Sequence, residues 1–196
     1  ELSDSEIFSL KLLEKYLSDF KIFTIGPNNT EQDFPQFSFI NFHPSFFEDT
    51  NTYSKLLLSK NFYNSFSDFS HILIYQMDCL VFSSSILKWC SLDYDYTGAP
   101  LFKDNDNPEE GFSFVGNGGL SLRRVSGFLN VLNSKNVPNW LDVFYSNFPD
   151  KYKVSYKKKI KIIKEARKGI NWYSNNYSLN EDLFWSQRAK LFFSDF

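Results

Sequence analysis

Apolar side chains recur along this chain in two rhythms, and each rhythm predicts an element. Ile7, Leu10, Leu13, Leu17 and Phe20 fall at three- and four-residue spacing, the period of a helix with one buried face. Ser3 or Asp4 stands where an N-cap belongs, with Glu6 near N3, so a helix is expected over residues 3–20. Lys21-Ile22-Phe23-Thr24-Ile25 is a β-branched run stopped by Gly26-Pro27-Asn28-Asn29, and it predicts a strand. Residues 34–47 are aromatic but irregular, interrupted by Pro35 and Pro44, and read as loop with one short strand. Helical spacing returns with Tyr53, Leu56, Leu57, Lys60, Phe62 and Phe66, predicting a helix over 51–66. His71-Ile72-Leu73-Ile74-Tyr75 is then an unbroken apolar run, the pattern of a strand covered on both faces in a parallel sheet.

In the second half, Val81-Phe82 leads into a helix over 84–90, capped by a serine. Tyr94-Asp95-Tyr96-Thr97-Gly98 is strand-like and is expected to end at Gly98-Ala99-Pro100. Residues 104–111 form a polar, turn-rich loop, and a glycine-rich stretch occupies 114–122. Helices are expected over 125–134 and, introduced by Asn180, over 179–191. Strands and helices alternate without an internal repeat. That predicts an α/β fold, a mainly parallel sheet flanked by helices, in one domain spanning residues 1–196.

Composition narrows the class without naming it. With 196 residues, 42% of them hydrophobic, the chain can bury one substantial core and is not expected to be disordered. Aromatic residues reach 19%, 23 of them Phe, so rings must supply much of that core. A net charge of -2 points to no partner. Cys79 and Cys90 are too few for a disulfide framework and are expected to be buried thiols in a reducing compartment. No apolar run approaches the ~18 residues of a membrane span, and no signal peptide is visible.

Five stretches carry candidate chemistry. Asp78 stands just past the 71–75 strand, where a carboxylate can ligate a divalent ion bridging a diphosphate, or simply cap a turn. Asp93 and Asp95 share one face by alternation, with Tyr94 and Tyr96 available for stacking; a strand running into a proline turn explains the same residues. Gly116-Asn117-Gly118-Gly119 lets backbone approach a ligand or turn tightly, and Arg123 or Arg124 could neutralise phosphate. It matches neither the P-loop nor the dinucleotide fingerprint. Glu181 and Asp182 suit a helix start electrostatically and could equally present a general base. Residues 151–168 are basic, with Lys157, Lys158, Lys159, Lys161, Lys164, Arg167 and Lys168 interleaved with isoleucines. They read as a solvated face or as a peripheral contact with an anionic membrane. Nucleic acid is not expected, because the rest of the chain is acidic and no binding module is recognised.

The order of these motifs resembles a bacterial group of GT-A-type glycosyltransferases. The resemblance rests on Tyr53, Phe62-Tyr63, Leu73 to Asp78 (LIYQMD), Tyr94 to Pro100 (YDYTGAP), Gly116 to Arg123 (GNGGLSLR) and Asn180 to Asp182 (NED), and it covers nearly the whole chain. It implies a GT-A, Rossmann-like fold and transfer of a sugar from a nucleotide-sugar donor to a glycan or lipid-linked hydroxyl acceptor, as in polysaccharide biosynthesis. The family's Asp-x-Asp metal motif falls on Gln76-Met77-Asp78, so Gln76 replaces the first acid and Asp78 remains the expected ligand for Mn²⁺ or Mg²⁺. The resemblance further implies Asn117, Gly118 and Gly119 at the donor and acceptor pocket, joined by Gln76, Asp95, Tyr96, Gly98 and Arg123. Asp182 is the implied catalytic base, with Glu181 as second choice.

GT-A domains open with a strand whose loop holds the nucleotide base, whereas this sequence enters directly in a helix. The expectation is that this strand lies upstream of Glu1 or is lacking, leaving the nucleotide pocket incomplete and the isolated domain inactive. The expected location is cytoplasmic, with contact at the inner face of the membrane through Lys157 to Lys168. Two other readings stay open: a degenerate GT-A domain that binds sugar or a partner without turnover, and a basic-patch membrane adaptor.

Overall fold

The computed structural model describes residues 2–31, 33–104, 106–139, 155–157, 160–161, 164, 167–177 and 179–196. Helix α1 (Asp4–Leu17) opens with a capping box: the Ser3 side chain accepts from the Glu6 N–H, and the Glu6 carboxylate accepts from the Ser3 N–H at 2.7 Å. Strand β1 (Phe23–Gly26) follows and pairs in parallel with β2 (Ser38–Asn41), the short strand expected within the irregular aromatic stretch. The helix predicted over 51–66 is split into α2 (Thr50–Leu57) and α3 (Lys60–Asn64). Ser59 makes the break: its hydroxyl donates to the Leu56 carbonyl and accepts from the Phe62 N–H, capping the second helix.

Strand β3 (His71–Tyr75), helix α4 (Ile86–Cys90), strand β4 (Tyr96–Phe102), strand β5 (Phe112–Arg124) and helix α5 (Val125–Asn133) come next. Helices α6 (Ile170–Asn176) and α7 (Glu181–Gln187) close the described chain. Ser85 takes the N-cap position of α4, but its side chain makes no capping bond; it is tied to Ser83 instead.

The sheet differs from the one expected. Among the described residues, parallel pairing is confined to β1 and β2, and the larger sheet is antiparallel in the order β3-β5-β4. The apolar run of β3 goes with an antiparallel neighbour, one face in the core and the other half-buried. Ile72 and Ile74 join the main core, while Leu73 lines a groove with Leu17 and Ile86. Strand β4 also continues through Gly98-Ala99-Pro100, where a stop was expected. It is an edge strand, and there a proline removes no obligatory ladder bond.

The core lies between this sheet and helices α2, α3, α5, α6 and α7, and it is largely aromatic. Phe62, Tyr63, Phe128, Phe184, Trp185 and Phe192 are each at most 1% exposed. The Phe128 ring lies tilted against Trp185, centroids 4.2 Å apart, and the indole N–H donates to the Leu57 carbonyl at 3.2 Å. Aromatic pairs of this kind add roughly 0.5–1.5 kcal/mol each beyond burial, so rings do the packing that aliphatic side chains supply in other cores. The helices are fastened by such contacts more than by their own propensity, because α3, α6 and α7 are too short to hold alone. Among the described residues, no helix is long and apolar enough to cross a membrane. Cys79 and Cys90 are half-buried free thiols, more open than expected; burial and then Asp78 push the Cys79 thiol up to about 11.

At the outer end of the sheet, His71 at the start of β3 lies near Arg124 and Asp95. Burial lowers its pKa from 6.5, Arg124 adds to the shift and Asp95 opposes it. The folded state therefore binds fewer protons at this site than the unfolded chain, so the stabilisation present above pH 6.5 is lost as pH falls through and below it. Thermal midpoints recorded between about pH 8 and pH 5 should fall, with a shallower slope in His71→Gln.

Candidate functional site

Strands β3 and β4 both run against β5 and so point the same way, and the carboxyl end of β3 and the middle of β4 meet the glycine-rich part of β5. There the β4–β5 register jumps from Gly98 opposite Ser121 to Ala99 opposite Asn117. Gly118, Gly119 and Leu120 are thus bulged out of the β4 ladder, while Leu120 still pairs with Tyr75 of β3. Gly116, at φ 136°, lies in the region open to glycine, and a Cβ there would meet the Ser186 Cβ at 2.9 Å and the Tyr96 ring at 3.1 Å. The Tyr96 hydroxyl donates to the Gly116 carbonyl at 3.1 Å. A bulge of this kind turns backbone amides out of the sheet and re-aims the flanking side chains, which suits a site floor better than a packed strand.

The start of α7 closes over this bulge. The Gly118 N–H donates to Asp182 Oδ2 at 3.2 Å, and the Ser121 hydroxyl donates to the Gly118 carbonyl at 3.0 Å, so both sides of that glycine are held. Asp182 Oδ1 accepts from the Leu183 N–H at 2.7 Å, and Ser186 Oγ donates to the Asp182 carbonyl at 2.7 Å. The Asp182 side chain is half-buried beside Tyr96. Gly119 donates to Asn117 Oδ1 at 3.0 Å, and its carbonyl accepts from the Gln76 N–H at 2.9 Å.

Beneath the bulge sits a buried ion pair. Arg123 is fully buried; its Nε donates to Ser121 Oγ, Nη1 to the Tyr63 hydroxyl and Nη2 to Glu181 Oε1, each at 2.9 Å. Its guanidinium also lies over the Tyr96 and Phe128 rings at 5.6 and 5.5 Å. Burial works against the Arg123 charge, but Glu181, Tyr63 and Tyr96 hold its pKa above the usual value. Burial pushes the Glu181 carboxyl above its usual range, and Arg123 draws it back only in part. Glu181 Oε2 is buried without a hydrogen-bond partner. A Cβ on Gly118 would stand 2.5 Å from Glu181 Oε1. Gly118→Ala is therefore expected to cost roughly 1–3 kcal/mol of stability, by the usual overpacking penalty, read as a lowered thermal midpoint.

The structure thus gathers Gln76, Tyr96, Gly98, Asn117, Gly118, Gly119, Glu181 and Asp182 around the β5 bulge. Two residues expected there are placed otherwise. Arg123 has no face turned to a ligand, because each guanidinium nitrogen is taken up inside the protein. Asp95 lies at the other end of β4: Arg124 reaches Asp93 at 2.6 Å and Asp95 at 3.5 Å, and Asp95 packs onto the glycine face of α5 at Gly127. The predicted shared face of Asp93 and Asp95 holds, but what it faces is Arg124. Tyr63, Ser121 and Ser186 went unassigned in the sequence; their hydroxyls answer charges and carbonyls that only the folded chain brings near them.

Asp78 is exposed in the turn after β3, where the Cys79 N–H returns to the Gln76 carbonyl at 2.9 Å. Gln76 directs its side-chain oxygen toward Gly119, where a Cβ would come within 2.7 Å of it, and lies beside Tyr53. Among the described residues, no three His, Cys, Asp or Glu side chains gather as a protein-only metal cage. One exposed carboxylate fits the other common arrangement, a Mg²⁺ or Mn²⁺ ion held mainly by phosphate oxygens of a bound ligand. Of the basic stretch, Lys157, Lys161, Lys164, Arg167 and Lys168 are exposed, and Lys158 and Lys159 lie outside the described residues.

Fold and site together define a mixed α/β protein with small sheets and a glycine bulge covered by the start of a helix that carries two carboxylates. The chain belongs to the family described as Protein of unknown function (DUF5672), whose model matches residues 36–196. No curated protein matches it, and no solved structure does.

Proposed function

We propose that this chain is a glycosyltransferase domain of GT-A type, taking a nucleotide-sugar donor and a glycan or lipid-linked hydroxyl acceptor, with Asp182 as general base. The observation that carries the reading is the setting of Asp182: a half-buried carboxylate fixed by the Gly118 N–H at the edge of a glycine bulge, beside the carboxyl end of β3. Ligands of open α/β sheets bind at that end.

Asp182 is the better base of the two acids. Glu181 has one oxygen committed to Arg123 and sits 5% exposed, out of reach of an acceptor. In the proposed reaction the acceptor oxygen attacks the anomeric carbon, and the bond from that carbon to the diphosphate oxygen breaks with its electron pair. The acceptor proton passes to Asp182. Tyr96 lies beside Asp182, and Asn117 is the exposed residue of the glycine stretch that a sugar could meet. A divalent ion, when bound, would neutralise charge on the leaving diphosphate, with Asp78 as its protein ligand. Lys157 to Lys168 would keep the domain near an anionic membrane that presents lipid-linked acceptors.

Thermal shift with a panel of nucleoside-diphosphate sugars, with and without Mn²⁺, tests the donor site. One nucleotide class is expected to stabilise the protein, by about 2.7 kcal/mol at a hundredfold excess over Kd. The Mn²⁺ increment should vanish in Asp78→Ala. A second reading, a non-catalytic sugar-binding domain, is favoured by Gln76, an amide where the family motif has an acid. Donor binding without transfer to any acceptor would select it.

A further inference from the structure

The chain between β3 and β4 exposes large apolar side chains although both of its ends are fastened. At one end the Cys79 carbonyl accepts from the Ser9 hydroxyl at 2.7 Å. At the other the Asp95 carbonyl accepts from the Arg124 N–H at 2.9 Å. Between them, Ile86 and Trp89 of α4 wall a groove of about 320 Å³ whose floor includes Leu73 of β3 and Leu122 of β5. Leu122 alternates with Arg123, so this is the sheet face turned away from Glu181.

One side of the segment thus rests on the protein, and the other stands out. Phe82 is 69% exposed, Leu87 66% and Trp89 52%, and Leu80, Leu92 and Tyr94 are exposed as well. Apolar residues scattered singly over a surface need no account, but six within fifteen positions do. From Cys79 to Leu92 the sequence holds one charged residue, Lys88, and it stands between Leu87 and Trp89. Ser83, Ser84 and Ser85 follow Phe82 directly. The first acid beyond, Asp93, is paired with Arg124 at 2.6 Å. Cores of protein interfaces are poor in Lys and Ser. At the level of lipid headgroups, by contrast, Trp and Tyr gather, and a lysine meets phosphate while its stem lies against hydrocarbon.

We propose that residues 80–94 form a membrane-insertion element, with Phe82, Leu87 and Trp89 entering the hydrocarbon of one leaflet and Lys88 meeting its phosphates. Attachment of this kind does not require the glycosyltransferase reading. It also differs from contact through residues 151–168, which would act by charge alone. The segment joins Gln76-Met77-Asp78 to β4, so its insertion holds the β5 bulge near the headgroups, where the polar part of a lipid-linked molecule lies.

The test is flotation of the chain with vesicles, either phosphatidylcholine alone or phosphatidylcholine mixed with phosphatidylglycerol. Half of the samples carry about 1 M salt, which screens charges more than ~3 Å apart. The expected result is flotation with both vesicles, stronger with the anionic ones and retained in salt. Phe82→Ser combined with Leu87→Ser should weaken it at least about tenfold. The thermal midpoint should not fall, since neither side chain is in the core. Bromine-labelled acyl chains should quench the fluorescence of the intact chain, and this quenching should vanish in Trp89→Phe, which still floats. Flotation confined to anionic vesicles, lost in salt and untouched by the double variant, assigns the contact to the basic stretch and overturns the proposal. No flotation, or flotation without quenching of Trp89, overturns it too. A dimer that dissociates in the double variant, in place of flotation, gives the patch to a second copy and overturns the lipid.

Discussion

Asp182→Ala is expected to lower sugar transfer about 10²–10⁴-fold, the usual worth of a general base, while leaving donor binding in place. The direction follows from geometry. Asp182 meets the bulge through a hydrogen bond to Gly118, and among the described residues its other oxygen accepts from the N–H of the next residue. Removing the carboxylate leaves the start of α7 without its half-buried proton acceptor but leaves the ion pair beneath it intact. Asp182→Asn separates the roles, since the amide oxygen can still accept from Gly118 but is a poor base. Initial rates at saturating donor and acceptor, beside donor affinity by calorimetry, make the check. An unchanged rate in both variants would remove Asp182 from the chemistry.

The largest effect on stability is expected at Arg123. Arg123→Met leaves Glu181 buried and unpaired, and breaking a buried pair by removing one partner costs about 3–5 kcal/mol. The loss should depend on pH in a stated sense. The folded Glu181 carboxyl already holds its proton more tightly than in the unfolded chain, so its contribution is complete below the ordinary glutamate range and is lost as pH rises through the raised value. Without Arg123 that window widens upward, and the variant should be less unstable in mild acid than at neutrality. Urea midpoints near pH 5 and pH 8 measure this. The double variant Arg123→Met with Glu181→Leu should recover most of the loss, because two apolar side chains leave no charge stranded.

What the sequence disclosed follows the range of the forces involved. The α1 cap, the short first strands, the β3 run, α5 and the last helix were legible, since each is written in local spacing and capping chemistry. The break at Ser59 was missed because the helical period of Leu56, Leu57 and Phe62 runs unbroken across it. The antiparallel order was missed because an apolar run reports cover on two faces and is silent on the direction of its neighbour. At the site, the glycine stretch and the Glu181-Asp182 pair were found by their residue types. The setting of Arg123 was not: a guanidinium that serves an internal carboxylate and one that serves a phosphate look alike until Tyr63, from 60 positions earlier in the chain, is seen to hydrogen-bond it.

The seating of Trp185 gives the molecule an internal optical reporter. The ring is 1% exposed, donates to the Leu57 carbonyl and shares α7 with Asp182. Any displacement of α7 by a bound ligand must change the polarity around that indole. Emission wavelength and quenching by iodide would then follow the helix in solution without a label, with Trp89, Trp140 and Trp172 replaced by Phe to clear the signal.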